Sequence, residues 1–236
     1  MNLHRRHFLI LTGIAVAAAA LPLETHAAEK LKIGIIGSGN VGSALGGSWL
    51  RAGHEVMFSS RNIEHDRSLA AKLGAGAHAG TPQEAAAFGQ VLLFAVPYRA
   101  LPELGKNLAN EIKGKLIIDA CNPFPSRDGE IADWAREKGA GLASAELLAG
   151  AHVVRAFNAV GAARMGAAYK EPGRVGMPIA GDDAEALKVA SDLIRDVGFE
   201  PVIVGGKEMG QYLMPGTALA GERSADEVRR IAVGLR

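Results

Sequence analysis

The chain has 236 residues, of which 48% are hydrophobic and 22% charged, a composition that supports a buried core and argues against disorder. Its 26 Lys and Arg residues balance 25 Asp and Glu residues, so the totals show no excess of positive charge for nucleic-acid binding. The single cysteine, Cys121, excludes an intramolecular disulfide and a cysteine-rich zinc site, and no metal site is predicted.

The first 27 residues have the pattern of an export signal. A basic start with Arg5 and Arg6 precedes an apolar run over residues 8–21, which is too short to span a membrane. Small residues fit a cleavage between Ala27 and Ala28. The paired arginines favour the twin-arginine pathway for folded proteins over an ordinary secretory signal, and retention as an uncleaved anchor stays open. The prediction is a periplasmic protein whose first partner is the export machinery for folded proteins.

After the signal, short apolar runs alternate with helical patterns. Strands are predicted over residues 31–36, 55–58, 77–79, 91–96 and 116–119, and helices over 41–52, 66–73, from Thr81 onward, and 98–110. This alternation predicts an α/β fold of the Rossmann type, with a doubly wound parallel sheet and helices on both faces.

Beyond Asp119 the alternation becomes less regular. A helix is predicted over residues 130–138, strands over 153–157, 174–180 and 200–204, and helices over 184–197 and 222–236. The predicted organisation is a nucleotide-binding domain over residues 28–160 and a small C-terminal α/β region over residues 161–236.

A glycine-rich turn lies between the first predicted strand and helix: Gly37-Ser38-Gly39-Asn40-Val41-Gly42. In this position Gly37 permits a tight turn, Gly39 lets a pyrophosphate approach the backbone, and Gly42 lets the helix pack on the strand. The N–H groups at the helix start would then hold the phosphates. The pattern therefore predicts a dinucleotide site.

The end of the second strand indicates which dinucleotide is preferred. NAD-binding proteins usually place an acid there to hold the ribose 2′-hydroxyl, whereas this chain reads Ser59-Ser60-Arg61. Ser60 and Arg61 can donate hydrogen bonds to a 2′-phosphate, and a carboxylate would repel it. NADP(H) is therefore predicted rather than NAD(H).

Several further segments share a family pattern. Together with the glycine-rich turn and Ser59-Ser60-Arg61, the chain resembles the NADPH-dependent coenzyme F-420 reductase family (F-420:NADP oxidoreductase) from about residue 31 to 212. The segments are Gly53-His54-Glu55-Val56, Ala95-Val96-Pro97, Asp119-Ala120-Cys121-Asn122-Pro123, Val153-Val154-Arg155-Ala156-Phe157-Asn158 and Gly181-Asp182-Asp183-Ala184.

The resemblance implies roles for particular residues. Ser60 and Arg61 would recognise the 2′-phosphate, and Ser38, Asn40 and Val41 would line the pyrophosphate. The resemblance places a nicotinamide near Val96, Pro97 and Ala156, with Asn122 and Asn158 beside the reacting faces. It also implies hydride transfer from NADPH to coenzyme F-420 or a flavin.

The residue types agree with hydride transfer between two rings, which needs positioning more than acid–base catalysis. Among the histidines, only His152 is a candidate base, and a surface role is favoured for it. Arg99 is either an acceptor contact or a solvated residue, and Cys121 is expected to be a buried packing residue.

Alternatives remain at this point: an NADPH-dependent flavin or ferric reductase, or a non-catalytic NADP-binding protein whose acceptor cleft is filled. A hydroxy-acid or pyrroline-carboxylate reductase would need a larger helical second domain than the residues after Asn158 provide. Whether the protein forms a homodimer is left open.

Overall fold

A computed structural model describes residues 30–235. The predicted export signal lies outside the described residues. Among the described residues, no helix is both long enough and apolar enough to cross a bilayer.

The described residues form one eight-stranded sheet in the order β3-β2-β1-β4-β5-β6-β7-β8. The strands are β1 Lys32–Ile36, β2 Glu55–Ser59, β3 Ala77–Ala79, β4 Val91–Phe94, β5 Leu116–Asp119, β6 His152–Arg155, β7 Gly176–Ala180 and β8 Glu200–Gly205. The first six strands are parallel, with the order 3-2-1-4-5-6 that defines the Rossmann fold. The α/β prediction is confirmed.

Helices connect these strands on both faces of the sheet. They are α1 Asn40–Arg51, α2 Ile63–Leu73, α3 Pro82–Phe88, α4 Leu101–Asn107, α5 Ala109–Ile112, α6 Pro125–Asp128, α7 Glu130–Lys138, α8 Ala140–Leu147, α9 Ala162–Ala167, α10 Ala184–Val197 and α11 Ala225–Val233. The described residues also contain short 3-10 segments at Tyr98–Ala100, Ala168–Lys170 and Lys207–Leu213.

The central strands bury side chains on both faces, which explains their unbroken apolar sequence. In β4, Val91 and Leu93 belong to one hydrophobic cluster, whereas Leu92 and Phe94 belong to the cluster on the opposite face. Each face is covered by helices, so the apolar run over β4 is the signature of a strand buried on both sides.

The C-terminal part continues the same sheet rather than starting a separate one. β7 meets β6 in antiparallel orientation through the pair Arg155 and Ala180, and β8 then pairs with β7 in parallel. A third hydrophobic cluster, with Val202 and Leu213 among its members, covers this end. The division at residue 160 therefore stays a prediction about folding units, because the sheet crosses it.

Several predicted boundaries were wrong in detail. The strand predicted to reach Val96 ends at Phe94, and the one predicted to reach Phe157 ends at Arg155. The predicted helix over 98–110 is a 3-10 turn followed by α4 and α5. Residues 95–96 and 156–157 instead belong to the loops that follow β4 and β6 at the carboxyl edge of the sheet.

Candidate functional site

The glycine-rich turn between β1 and α1 has the geometry that its sequence predicts. Gly37 has φ +108°, and a Cβ there would overlap the carbonyl oxygen of Ala95. A Cβ on Gly42 would overlap the carbonyl oxygen of Gly37, so this glycine allows the helix to pack against the turn. A Cβ on Gly39 would meet nothing within 4 Å. The open space at Gly39 is therefore available to a ligand rather than filled by the protein.

Helix α1 begins at Asn40 without a side-chain cap. Its N-cap residue is Gly39, and its first turn contains no acidic residue. The amino end of a helix carries unpaired N–H groups and a partial positive charge, which favour an anion. This arrangement fits the pyrophosphate of a dinucleotide.

A cleft of 490 Å³ opens at the carboxyl ends of β1, β2 and β4. This is the topological switch point, where ligands bind in open α/β sheets. The predicted cofactor residues that line it are Gly37, Ser38, Gly39, Ser60, Arg61, Val96 and Pro97. The lining residues that the sequence did not single out for the cofactor are Ile36, Ser59, His65, Pro82, Ala95, Arg99, Ala100, Glu103, Leu104 and Asn107. The two sets together form a continuous wall from the glycine-rich turn to α4.

The other predicted residues lie outside this lining. Asn40 and Val41 are the first two residues of α1, and Gly42 allows the helix to pack against the turn. Ala156 is fully buried. Asn122 and Asn158 lie at the ends of β5 and β6, beyond the cleft.

Arg61 is exposed and lines the cleft directly after β2. Among the described residues its guanidinium has no hydrogen-bond or ion-pair partner. A free guanidinium at the end of β2, with no carboxylate on that strand end, fits a 2′-phosphate. His65 lines the same part of the cleft and could have been found from its position five residues after Ser60.

Asp66 lies behind the lining of the cleft and links the glycine-rich turn to the loop after β2 by hydrogen bonds. Its carboxylate is fully buried. Ser38 Oγ in the glycine-rich turn donates to Oδ1, and Ser60 Oγ after β2 donates to Oδ2 at 2.9 Å. Asp66 is absent from the predicted site because the helix was expected to begin at this residue. The structure begins α2 at Ile63, since Asn62 caps it, and so turns Asp66 inward.

A second polar cluster lies at the ends of β5 and β6. Arg155 Nη1 donates to Asp119 Oδ2 at 2.5 Å, and both side chains are fully buried. Arg155 Nη2 lies 3.4 Å from Asn122 Oδ1. Asn158 Nδ2 donates to Asn122 Oδ1 at 3.3 Å, and Asn122 Nδ2 donates to the Asn158 carbonyl at 3.1 Å. The structure thus brings the two predicted catalytic asparagines together.

Two features of Asn158 distinguish it from an ordinary packed residue. Its Oδ1 atom is buried and has no hydrogen-bond partner among residues 30–235. The preceding residue, Phe157, has φ +66° and is the only non-glycine residue with a positive φ in the described part of the chain. Left-handed backbone at such a residue is costly and clusters at functional sites. The Phe157 ring makes edge-to-face contacts with the rings of Trp49 and Phe199, and these contacts stabilise its position.

The ionisable groups near this cluster are poor bases. Burial, followed by the charge of Asp119, raises the pKa of the Cys121 thiol well above its ordinary value. Burial, again followed by Asp119, raises the pKa of the Tyr98 phenol. Both groups therefore stay protonated near neutral pH, and the prediction that Cys121 is a buried packing residue agrees with its position.

Of the two remaining candidates, His152 and Arg99, only Arg99 lines the cleft. His152 begins β6 at the opposite edge of the sheet, where it pairs with Asp183 at 3.0 Å, so it is no base for chemistry in the cleft. Arg99 lines the cleft and donates to the carbonyl of Arg127 at 2.5 Å.

Burial would raise the pKa of the neighbouring Asp128, but hydrogen bonds from Arg127 and from two backbone N–H groups lower it below its ordinary value.

The fold and the cleft define a class of protein. A Rossmann sheet, an uncapped helix behind a glycine-rich turn and a free guanidinium after β2 are the parts of an NADP-dependent oxidoreductase. Comparison with known proteins identifies the class more closely.

The family model described as NADP oxidoreductase, coenzyme F420-dependent, matches residues 32–123. An F420-dependent NADP reductase of Methanothermobacter marburgensis is 30% identical over 200 residues, which cover 78% of this chain and 88% of that protein. The chain belongs to this family of NADP oxidoreductases.

Two further proteins are similar to this chain. The metalloreductase STEAP3 of Rattus norvegicus is 29% identical over 177 residues, or 75% of this chain. The chain spans only about a third, 34%, of that protein's length. The crystal structure of the hypothetical protein SMa0349 from Sinorhizobium meliloti matches with a TM-score of 0.67 and 26% identity, covering 81% of this chain and 93% of that one.

Proposed function

We propose that the protein transfers hydride between NADPH and a flavin-like or deazaflavin acceptor such as coenzyme F-420. The observation that supports this best is the cleft at the carboxyl ends of β1, β2 and β4, where the open space beside Gly39 and the exposed Arg61 fit the phosphates of NADPH.

The remaining chemistry of the site points the same way. Val96 and Pro97 give the inner end of the cleft an apolar wall. Tyr98 and Cys121, whose pKa values are raised, stay protonated and so do not act as bases. When bound, NADPH supplies a hydride, which the acceptor ring takes up together with a proton from solvent. The chain's own contribution would be to hold the phosphates, exclude water and orient the two rings.

The test is turnover under anaerobic conditions with purified protein. NADPH oxidation is followed with coenzyme F-420, then with FMN, then with ferric chelates, and NADH serves as the control donor. Oxidation of NADPH by coenzyme F-420 or FMN supports the proposal. NADPH that binds tightly and is oxidised by none of these acceptors would contradict it and favour a cofactor-binding role without turnover.

A ferric reductase is the second candidate, because a metalloreductase is among the relatives. Reduction of ferric chelates without added flavin would favour it. If ferric reduction appears only when catalytic amounts of FMN are present, free reduced flavin is the reductant of iron, and the first proposal stands.

We also propose that the protein is exported in folded form and works in the periplasm. The support is the paired Arg5 and Arg6 ahead of a short apolar run. Replacing both with Lys should retain the protein in the cytoplasm if the twin-arginine pathway is used. Unchanged periplasmic recovery of that variant would indicate an ordinary secretory signal.

A further inference from the structure

Asp66 is a buried carboxylate that the cofactor chemistry described above does not use. It lies on the first turns of α2, behind the wall of the cleft, and is 0% exposed. Its two oxygens accept hydrogen bonds from Ser38 and Ser60, which both line the cleft. In the part of the chain that the structure describes, no Lys, Arg or His lies within ion-pairing distance of this carboxylate. Within the described residues, the Ser38 and Ser60 hydroxyls are therefore the side-chain partners of the Asp66 carboxylate.

The count of hydroxyl protons limits what the two serines can do for a ligand. A serine hydroxyl has one proton to donate and lone pairs with which to accept. Ser38 directs its proton to Asp66. Ser60 directs its proton to Asp66 at 2.9 Å or to the Asn62 carbonyl at 3.2 Å, and its oxygen already accepts the Asn62 N–H. Both hydroxyls thus face the cleft as acceptors rather than donors.

This arrangement is unfavourable for a phosphate, which has only acceptor oxygens to offer when ionised. An acceptor-only serine cannot bind it, and the carboxylate behind the serine repels it through a short, buried path where screening by salt is weak. A ribose hydroxyl, in contrast, can donate to the same serine oxygen. Arg61 is then the group that must outweigh Asp66 when the cofactor carries a 2′-phosphate.

We propose that Asp66 is a specificity-determining residue that moderates the affinity of this site for the 2′-phosphate of NADP(H). It keeps the Ser38 and Ser60 hydroxyls in the acceptor role and places a negative charge behind them. Because Asp66 reaches the ligand only through the serines, it is a positioning residue. The inference rests on the part of the proposed function that concerns NADP(H) binding, and it does not depend on which acceptor the protein uses.

The main test is Asp66→Asn, which keeps the shape of the side chain. The amide accepts from one serine and donates to the other, so one hydroxyl proton is released toward the cleft and the negative charge is removed. We expect the Kd for NADPH, measured by fluorescence titration of the protein, to fall about tenfold. The Kd for NADH should fall by a clearly smaller factor, because Ser38 lies at the pyrophosphate that both cofactors share. An equal change for both cofactors, or weaker NADPH binding, would overturn the proposal.

Two companion variants separate the proposal from a general structural effect. Ser60→Ala alone should change the Kd for NADPH less than threefold, because the native hydroxyl does not donate to the phosphate. The same substitution made together with Asp66→Asn should remove most of the gain. A tenfold loss of NADPH affinity in Ser60→Ala alone would show that Ser60 donates to the phosphate in the native protein, against the proposal.

Glu64→Gln is the matched control for charge. Glu64 is an exposed acid in the first turn of the same helix, where it pairs with Arg67. Its replacement removes the same charge without touching the serines, so both Kd values should stay within twofold. If Glu64→Gln tightens NADPH binding as much as Asp66→Asn, charge near the helix start is responsible and the specific role of Asp66 fails. Absence of measurable NADPH binding to the native protein would instead contradict the cofactor half of the proposed function.

Discussion

The carboxyl edge of the sheet has an open end and a closed end. At β1 and β2 the loops leave a cleft of 490 Å³ and space beside Gly39, and the Arg61 guanidinium there has no partner within residues 30–235. At β5 and β6 the polar groups are packed against one another, and Arg155, Asp119 and Asn158 are almost completely buried.

The difference indicates two tasks within one fold. The open end offers space, the backbone N–H groups at the start of α1 and a cation that no other described residue pairs with, which are features that suit an anionic ligand. The closed end holds its groups in fixed positions by hydrogen bonds and burial, at the cost of desolvating an ion pair. Four predictions distinguish binding at the open end from positioning at the closed end.

The largest effect is expected at the closed end, from Arg155→Met. This change leaves Asp119 charged, buried and unpaired, so we expect the free energy of unfolding to fall by about 3–5 kcal/mol. Urea denaturation measures it. Arg155→Met combined with Asp119→Leu should recover most of the loss, because the buried charge is gone. A loss below about 1 kcal/mol in the single variant would show that the pair is solvated.

The second prediction compares two glycines of the same turn. Gly42→Ala forces a Cβ against the Gly37 carbonyl, so the free energy of unfolding should fall by about 1–3 kcal/mol. Gly39→Ala adds its Cβ to open space and should leave stability unchanged, but it should weaken NADPH binding about tenfold or more by occupying the phosphate's place. Thermal denaturation and NADPH titration measure the two effects. Unchanged NADPH affinity in Gly39→Ala would place the pyrophosphate elsewhere.

The third prediction concerns the free cation of the open end. Arg61→Gln should raise the Kd for NADPH roughly tenfold to a hundredfold, the worth of a charge-assisted pair, and leave the Kd for NADH nearly unchanged. Arg67→Gln, on the exposed face of α2 and paired with Glu64, is the control and should change neither. A similar loss for both cofactors would mean that Arg61 contacts a part that they share.

The smallest effect is expected from Asp128→Asn in the turn after β5. Since hydrogen bonds lower the pKa of Asp128 in the folded protein, the charged form stabilises the fold at pH values above its ordinary pKa of 3.8. We expect the variant to lose about 1 kcal/mol at pH 7. Because protonation removes this stabilisation, the gap between native and variant should shrink as the pH falls below about 4. Denaturation at several pH values measures the gap, and a constant gap would contradict the assignment.

Much of the open end could be predicted because its signals are local. The turn from Gly37 to Gly42 lies within six consecutive residues, and each glycine has a steric reason visible in the sequence. Helix α10 was predicted with its exact bounds, since Asp183 caps it and Gly198 ends it in a left-handed conformation.

Helix α8 could not be found in this way. Its residues over Ala140–Leu147 are small and apolar on most of its circumference, and several are buried. An element buried on many sides lacks the amphipathic period by which helices are detected. Gly141 packs against the Lys207 carbonyl, and no local sequence pattern predicts this contact.

The sequence by itself was enough to predict the parallel α/β alternation, the glycine-rich turn between β1 and α1, and an arginine instead of an acid after β2. Apolar periodicity, glycine sterics and charge act between near neighbours. Only the tertiary structure decided that Asp66 reaches Ser38 across 28 residues, that Arg155 pairs with Asp119 across 36, and that β7 joins β6 in antiparallel orientation. These contacts join residues far apart in the chain, and their free energy depends on burial and geometry that exist only once the sheet has formed.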